Sequence, residues 1–132
     1  MPKKILLIDD ERVTRTLVKA ILVKEGYEIT SVNDGQKGIE EYLYSLSKKT
    51  PYQLIILDID MPGINGLEVL KQIRKEEETR GIKYGYGESI PVIMLTASRA
   101  PWLDAFDLGC DDYIVKPFDT DIFLKKVQEK VK

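Results

Sequence analysis

The sequence predicts an α/β protein, a doubly wound five-stranded parallel sheet with helices on both faces. Three observations carry that expectation. Short apolar runs of strand length alternate with amphipathic stretches of helical spacing along the whole chain, the pattern of repeated βα units. The runs Ile5-Leu6-Leu7-Ile8 and Leu54-Ile55-Ile56-Leu57 are apolar at every position, as strands covered on both faces are. No repeat, linker or low-complexity segment divides the 132 residues, a length that suits one ordinary domain.

The elements follow in order. Lys4 to Asp9 reads as the first strand. Arg12 to Glu25 carries Val13, Leu17 and Ile21 at a spacing of four, which suits a helix, and Gly26 ends it. Tyr27 to Val32 is a second strand, and Asn33-Asp34-Gly35 is a turn signal. Gly38 to Ser47 then sets Ile39, Tyr42, Leu43 and Leu46 on one helical face. Gln53 to Asp58 is the third strand, broken by Met61-Pro62-Gly63. Asn65 can cap a helix carrying Leu67, Leu70 and Ile73. Ile90 to Thr96 is the fourth strand, Pro101 to Leu108 a short helix, and Tyr113 to Val115 the fifth strand. Asp119 can cap a last helix with Phe123, Leu124, Val127 and Val131 inside. The stretch Glu76 to Ser89 is irregular, charged at first and then rich in Gly and Tyr.

Composition narrows the chemistry. A hydrophobic content of 43% is enough for a packed core. Lys plus Arg number 20 against 22 Asp plus Glu, a net charge of −2, which is not the footprint of a generally basic nucleic-acid or membrane-surface binder. No apolar run approaches the roughly 20 residues that cross a bilayer, and no secretory signal is visible. The single cysteine, Cys110, forms no internal disulfide, which fits a cytoplasmic protein. There is no histidine, so Ser-His-Asp and Cys-His catalysis and the commonest zinc ligand are absent. The polar chemistry left is that of carboxylates, lysine and hydroxyls, which suits a hard cation such as magnesium.

Open parallel α/β sheets bind ligands beyond the carboxyl ends of their strands. The first strand ends in Asp9-Asp10-Glu11, the third in Asp58, the fourth in Thr96-Ala97, and Lys116-Pro117 follows the fifth. Each has a plainer reading. Asp9 and Asp10 can cap a helix, Thr96 can simply end a strand, and Lys116 can sit in solvent. Asp58 closes an apolar run, where a carboxylate is either paired or functional. The joint occurrence is more informative than any one of them. Three carboxylates that repel one another suit a divalent cation, one carboxylate oxygen can attack a phosphoryl group, and a lysine and a hydroxyl can contact its oxygens. The product of such a site is an acyl phosphate on aspartate.

With those residues in place the sequence resembles the receiver domain of two-component response regulators. The segments concerned are Ile5-Leu6-Leu7-Ile8-Asp9-Asp10-Glu11, Leu57-Asp58-Ile59-Asp60-Met61-Pro62-Gly63-Ile64-Asn65-Gly66, Val92-Ile93-Met94-Leu95-Thr96-Ala97 and Gly109 to Phe118. The resemblance implies a receiver (phosphoacceptor) domain over residues 1–132, with a flavodoxin-like strand order 2-1-3-4-5. It implies Asp58 as phosphoacceptor, and Asp9, Asp10, Asp58 and the backbone carbonyl of Asp60 as ligands of Mg2+, with Mn2+ as a substitute. Thr96, Lys116 and the switch aromatic Tyr113 would contact or respond to the phosphoryl group, and Lys116-Pro117 would be a cis peptide. The donor would be a sensor histidine kinase or a histidine phosphotransfer protein, and the signal would pass to an output partner that the sequence does not name. No direct nucleic-acid or membrane contact is expected of this chain. Asp111 and Asp112 are expected to be turn and solvated residues. The stretch 76–89 is longer than usual in the family and Ser98 to Leu108 shorter, while Asp60 and Ser98 occupy positions that tune dephosphorylation.

Two rivals remain at the level of sequence. Asp58-Ile59-Asp60 is a DxD after an apolar strand, as in aspartate-nucleophile phosphohydrolases. A receiver-like module that is never phosphorylated and serves only as an interaction surface is the other.

Overall fold

The computed structural model describes residues 2–48, 51–83 and 88–131. Five strands, β1 (Lys4–Ile8), β2 (Glu28–Val32), β3 (Leu54–Leu57), β4 (Val92–Thr96) and β5 (Asp112–Val115), alternate with five helices. These are α1 (Arg12–Lys24), α2 (Gly35–Ser45), α3 (Gly66–Thr79), α4 (Trp102–Asp107) and α5 (Thr120–Lys130). The strands are all parallel in the order β2-β1-β3-β4-β5, as expected, with Ile8 beside both Val32 and Leu57. The chain order reverses at β1, so the ends of β1 and β3 flank the crevice where such sheets bind ligands.

The apolar strands split by alternation into two cores. Leu6, Ile8, Ile55, Leu57, Val92 and Met94 face α2 and α3. Ile5, Leu7, Leu54, Ile56, Ile93 and Leu95 face α1 and α5, where Val18, Leu22, Phe123 and Val127 meet them. Burying one such aliphatic side chain is worth about 1.5–3 kcal/mol, so the three central strands supply a large share of the hydrophobic stabilisation and form a platform under their own ends.

Side-chain caps mark the starts of α2, α3 and α5. The Asp34 carboxylate accepts from Lys37 N at 2.8 Å, Asn65 from Glu68 N at 3.0 Å and Asp119 from Ile122 N at 3.0 Å. The Asp34 cap starts α2 three residues earlier than the expected Gly38, and Gly38 itself sits where a Cβ would overlap the side chain of Ile8.

Other expectations shift. On α1 the buried stripe is Thr14, Val18 and Leu22, while Val13 is 79% and Leu17 48% exposed. Both sets recur every four residues, so spacing alone does not choose between them. A tertiary bond, Arg15 Nη1 to the carbonyl oxygen of Asp9 at 2.8 Å, accompanies the observed register.

The first part of the stretch expected to be irregular is helical, since α3 runs to Thr79. Its last turns place Glu77 inside the protein, 1% exposed. That carboxylate accepts from Tyr42 Oη at 2.8 Å, Ile90 N at 2.8 Å and Arg74 Nη1 at 2.7 Å. Arg74 also donates to the carbonyl of Gly109 and to Asp111 Oδ2, and Asp111 accepts from Val92 N. Asp111 is therefore bound into this network and Asp112 is paired with Lys126 at 2.9 Å, so neither is the solvated residue that its sequence position suggested. The network lies where β4 and β5 begin, away from their carboxyl ends. Residues 84–87 of the Gly- and Tyr-rich segment lie outside the described residues.

Candidate functional site

Backbone pairing delivers the site. Asp58 N donates to Ile8 O at 2.9 Å, which extends the β1–β3 ladder by one residue and sets Asp58 beside Asp9. Gly66 packs against the backbone of Asp58 and Ile59 so closely that a Cβ would overlap the Asp58 carbonyl, and Gly66 N donates to Ile59 O at 2.9 Å. Lys116 N donates to Thr96 O at 2.8 Å and brings the end of β5 to the end of β4. The Lys116-Pro117 peptide is cis, as expected.

Asp9, Asp10 and Asp58 each offer a carboxylate oxygen, all within 4.8 Å of one another. Asp9 and Asp58 are 0% and 3% exposed. Lys116 Nζ lies 2.9 Å from Asp9 Oδ2, 2.6 Å from Glu11 Oε1 and 3.6 Å from Asp58 Oδ2. Asp9 Oδ1 accepts from Glu11 N at 2.9 Å and Asp58 Oδ1 from Asp60 N at 3.3 Å. All five residues expected from strand ends, Asp9, Asp10, Asp58, Thr96 and Lys116, are thus at one edge of the sheet.

The charges are out of balance there. Burial, then the neighbouring Asp9 charge, push the Asp58 carboxyl up to about 6, against the pull of Lys116 and two hydrogen bonds. Burial alone would lower the Lys116 ammonium, but its bonds to Glu11 and Asp9 outweigh that and raise it. The Lys116 bond holds Glu11 below the usual carboxylate range. An all-oxygen donor set, two of its members buried and one resisting ionisation, is suited to a hard divalent cation such as Mg2+.

On the other flank, the Asp60 side chain accepts from Thr96 Oγ1 at 3.2 Å and from Ser98 Oγ at 2.5 Å. Tyr113 Oη donates to the Ser98 carbonyl at 2.5 Å, and the side chain packs against the core on the α2 and α3 face of the sheet. The expected hydroxyl and aromatic are therefore joined through Ser98. Glu11 is the residue to which sequence reasoning gave no role of its own. Its signal was only adjacency to the acid pair, and nothing local shows that its carboxylate reaches a lysine 105 positions away.

Comparison with known proteins agrees with this geometry. Residues 5–128 match the family model for the response regulator receiver domain. The response regulator ArlR of Staphylococcus epidermidis is 36% identical over 126 residues, covering 94% of this chain and 50% of that protein. The chain spans about half the length of the curated relatives it matches. Among solved structures, the response regulator TrrA of Thermotoga maritima in complex with Mg2+-BeF is 36% identical, with a TM-score of 0.79 and coverage of 96% and 97% of the two chains. The receiver domain of a sensor histidine kinase from Pseudomonas aeruginosa, with magnesium coordinated in its active-site cleft, is 26% identical, with a TM-score of 0.79 and coverage of 99% and 98%.

Proposed function

This chain belongs to the response regulator receiver family, and we propose that it accepts a phosphoryl group on Asp58 from a phosphohistidine of a sensor histidine kinase or phosphotransfer protein. The single observation that supports this most is the buried Asp58 carboxylate set between two further acids and a lysine. Its raised proton affinity makes it a more basic nucleophile while leaving it mostly ionised at neutral pH.

A carboxylate oxygen of Asp58 attacks phosphorus, the phosphorus–nitrogen bond of the donor breaks, and the imidazole departs with that electron pair and takes up a proton. Lys116 and Thr96 would donate to the phosphoryl oxygens, a reading supported for Lys116 by its Nζ lying 3.6 Å from Asp58 Oδ2. Asp9, Asp10, Asp58 and the Asp60 carbonyl would hold Mg2+, or Mn2+ in its place, which supplies charge neutralisation between carboxylate and phosphoryl group. The chain acts catalytically only on itself, in gaining and losing this group. The whole of residues 1–132 serves as one receiver domain in the cytoplasm. Among the described residues no helix is long and apolar enough to cross a membrane. Tyr113, tied to Thr96 through Ser98 and Asp60, carries the change toward an output partner other than nucleic acid.

The test is incubation with Mg2+ and either acetyl phosphate or a phosphorylated kinase, followed by intact-mass measurement. The expected result is one phosphoryl group per chain, dependent on the cation and absent from Asp58→Asn. Repeated turnover of small phosphomonoesters would instead support a phosphohydrolase, and no uptake from any donor would support a purely interacting module.

A further inference from the structure

Glu11 stands at the N-cap position of α1, where a short polar side chain ordinarily accepts from first-turn N–H groups, yet its carboxylate makes no such bond. Its Oε1 instead holds Lys116 Nζ at 2.6 Å, closer than Asp9 Oδ2 at 2.9 Å or Asp58 Oδ2 at 3.6 Å. Thr14 Oγ1 donates to the same Glu11 oxygen at 3.2 Å and steadies its rotamer. Glu11 is not one of the three clustered acids that suit a cation. Asp9 meets conflicting demands, since the oxygen that binds Lys116 belongs to a carboxylate the cation also needs, and a cation there repels the ammonium. Glu11 is free of that conflict.

We propose that Glu11 is a positioning residue that keeps the Lys116 ammonium at the mouth of the cleft when the acid cluster is engaged, so that the lysine meets phosphoryl oxygens on Asp58. The inference deepens the phosphoacceptor reading and rests on it. Its sign is distinctive. Removing a negative charge beside an anion site strengthens anion binding if electrostatics alone acts, whereas loss of a positioning residue weakens it.

The experiment is calorimetric titration of the full chain with beryllofluoride in saturating Mg2+, for the unmodified protein, E11Q, K116M and the double variant. E11Q should weaken binding about tenfold, the worth of a charge-assisted hydrogen bond. In the K116M background the same change should alter affinity by less than about twofold, because the residue acts through the lysine. Unchanged or tighter binding by E11Q, or equal weakening in both backgrounds, would overturn the positioning role while leaving Asp58 as acceptor. Failure of the unmodified protein to bind beryllofluoride would overturn the acceptor reading, and this inference with it.

Discussion

Replacing Asp58 by Asn should make the metal-free protein more stable at neutral pH. The folded state holds the Asp58 proton more tightly than the unfolded chain does, with the carboxyl pushed up to about 6 from its ordinary 3.8. Below pH ~4 the carboxyl is protonated in both states and costs nothing relative to a neutral residue. As pH rises from about 4 to about 6 the unfolded chain ionises first, and stability is lost over that window. Above it the loss is constant. At about 1.4 kcal/mol per pKa unit the full penalty is roughly 3 kcal/mol. That figure is already net of the pull of Lys116 on the carboxylate, and a net gain of about 1–3 kcal/mol is expected. The assay is urea unfolding of both proteins in a chelator at several pH values between 4 and 8. The stability difference should be small at pH 4, grow through pH 6 and then level off. A difference that does not vary with pH, or a less stable Asn variant at neutral pH, would refute the reasoning.

Other expectations concern the cation, the far network and the turn under the site. Mg2+ at a hundredfold excess over its dissociation constant should stabilise the unmodified protein by about 2.7 kcal/mol and Asp58→Asn by clearly less, read from thermal melts at fixed pH. Glu77→Ala should cost about 2–5 kcal/mol in urea unfolding, because it removes the buried acceptor of the Tyr42 hydroxyl and of Ile90 N. Gly66→Ala should lower both stability and phosphoryl uptake, because its Cβ would displace the Asp58 carbonyl. A Gly66→Ala protein that takes up phosphoryl at the unmodified rate would show that this packing does not fix the acceptor.

The parts of the fold that sequence reveals are those where one physical demand acts. Leu54 to Leu57 admits only a strand buried on both faces, and a carboxylate at its end stands out against four apolar residues. Asn65 and Asp119 announce their helices because the cap is local chemistry. The register of α1 was not legible, since Val13-Leu17-Ile21 and Thr14-Val18-Leu22 share one period and a contact with Asp9 accompanies the choice. Glu77 is hidden in a run of charge that reads as solvated, and besides Arg74 its partners come from residues 13 and 35 positions away. Neighbouring acids in the sequence point to repulsion at Asp58, yet burial is the larger cause of its raised pKa, and depth beneath the strand ends is a property of the whole sheet.

The central claim is that the phosphoryl group resides on Asp58. Reduction of the freshly phosphorylated protein with borohydride converts an acyl-phosphorylated aspartate to homoserine, which peptide mass mapping then locates. Homoserine at position 58, in a chain whose Asp9, Asp10 and Asp60 remain aspartate, is the predicted result. Homoserine at any of those three positions with Asp58 unmodified would contradict the account.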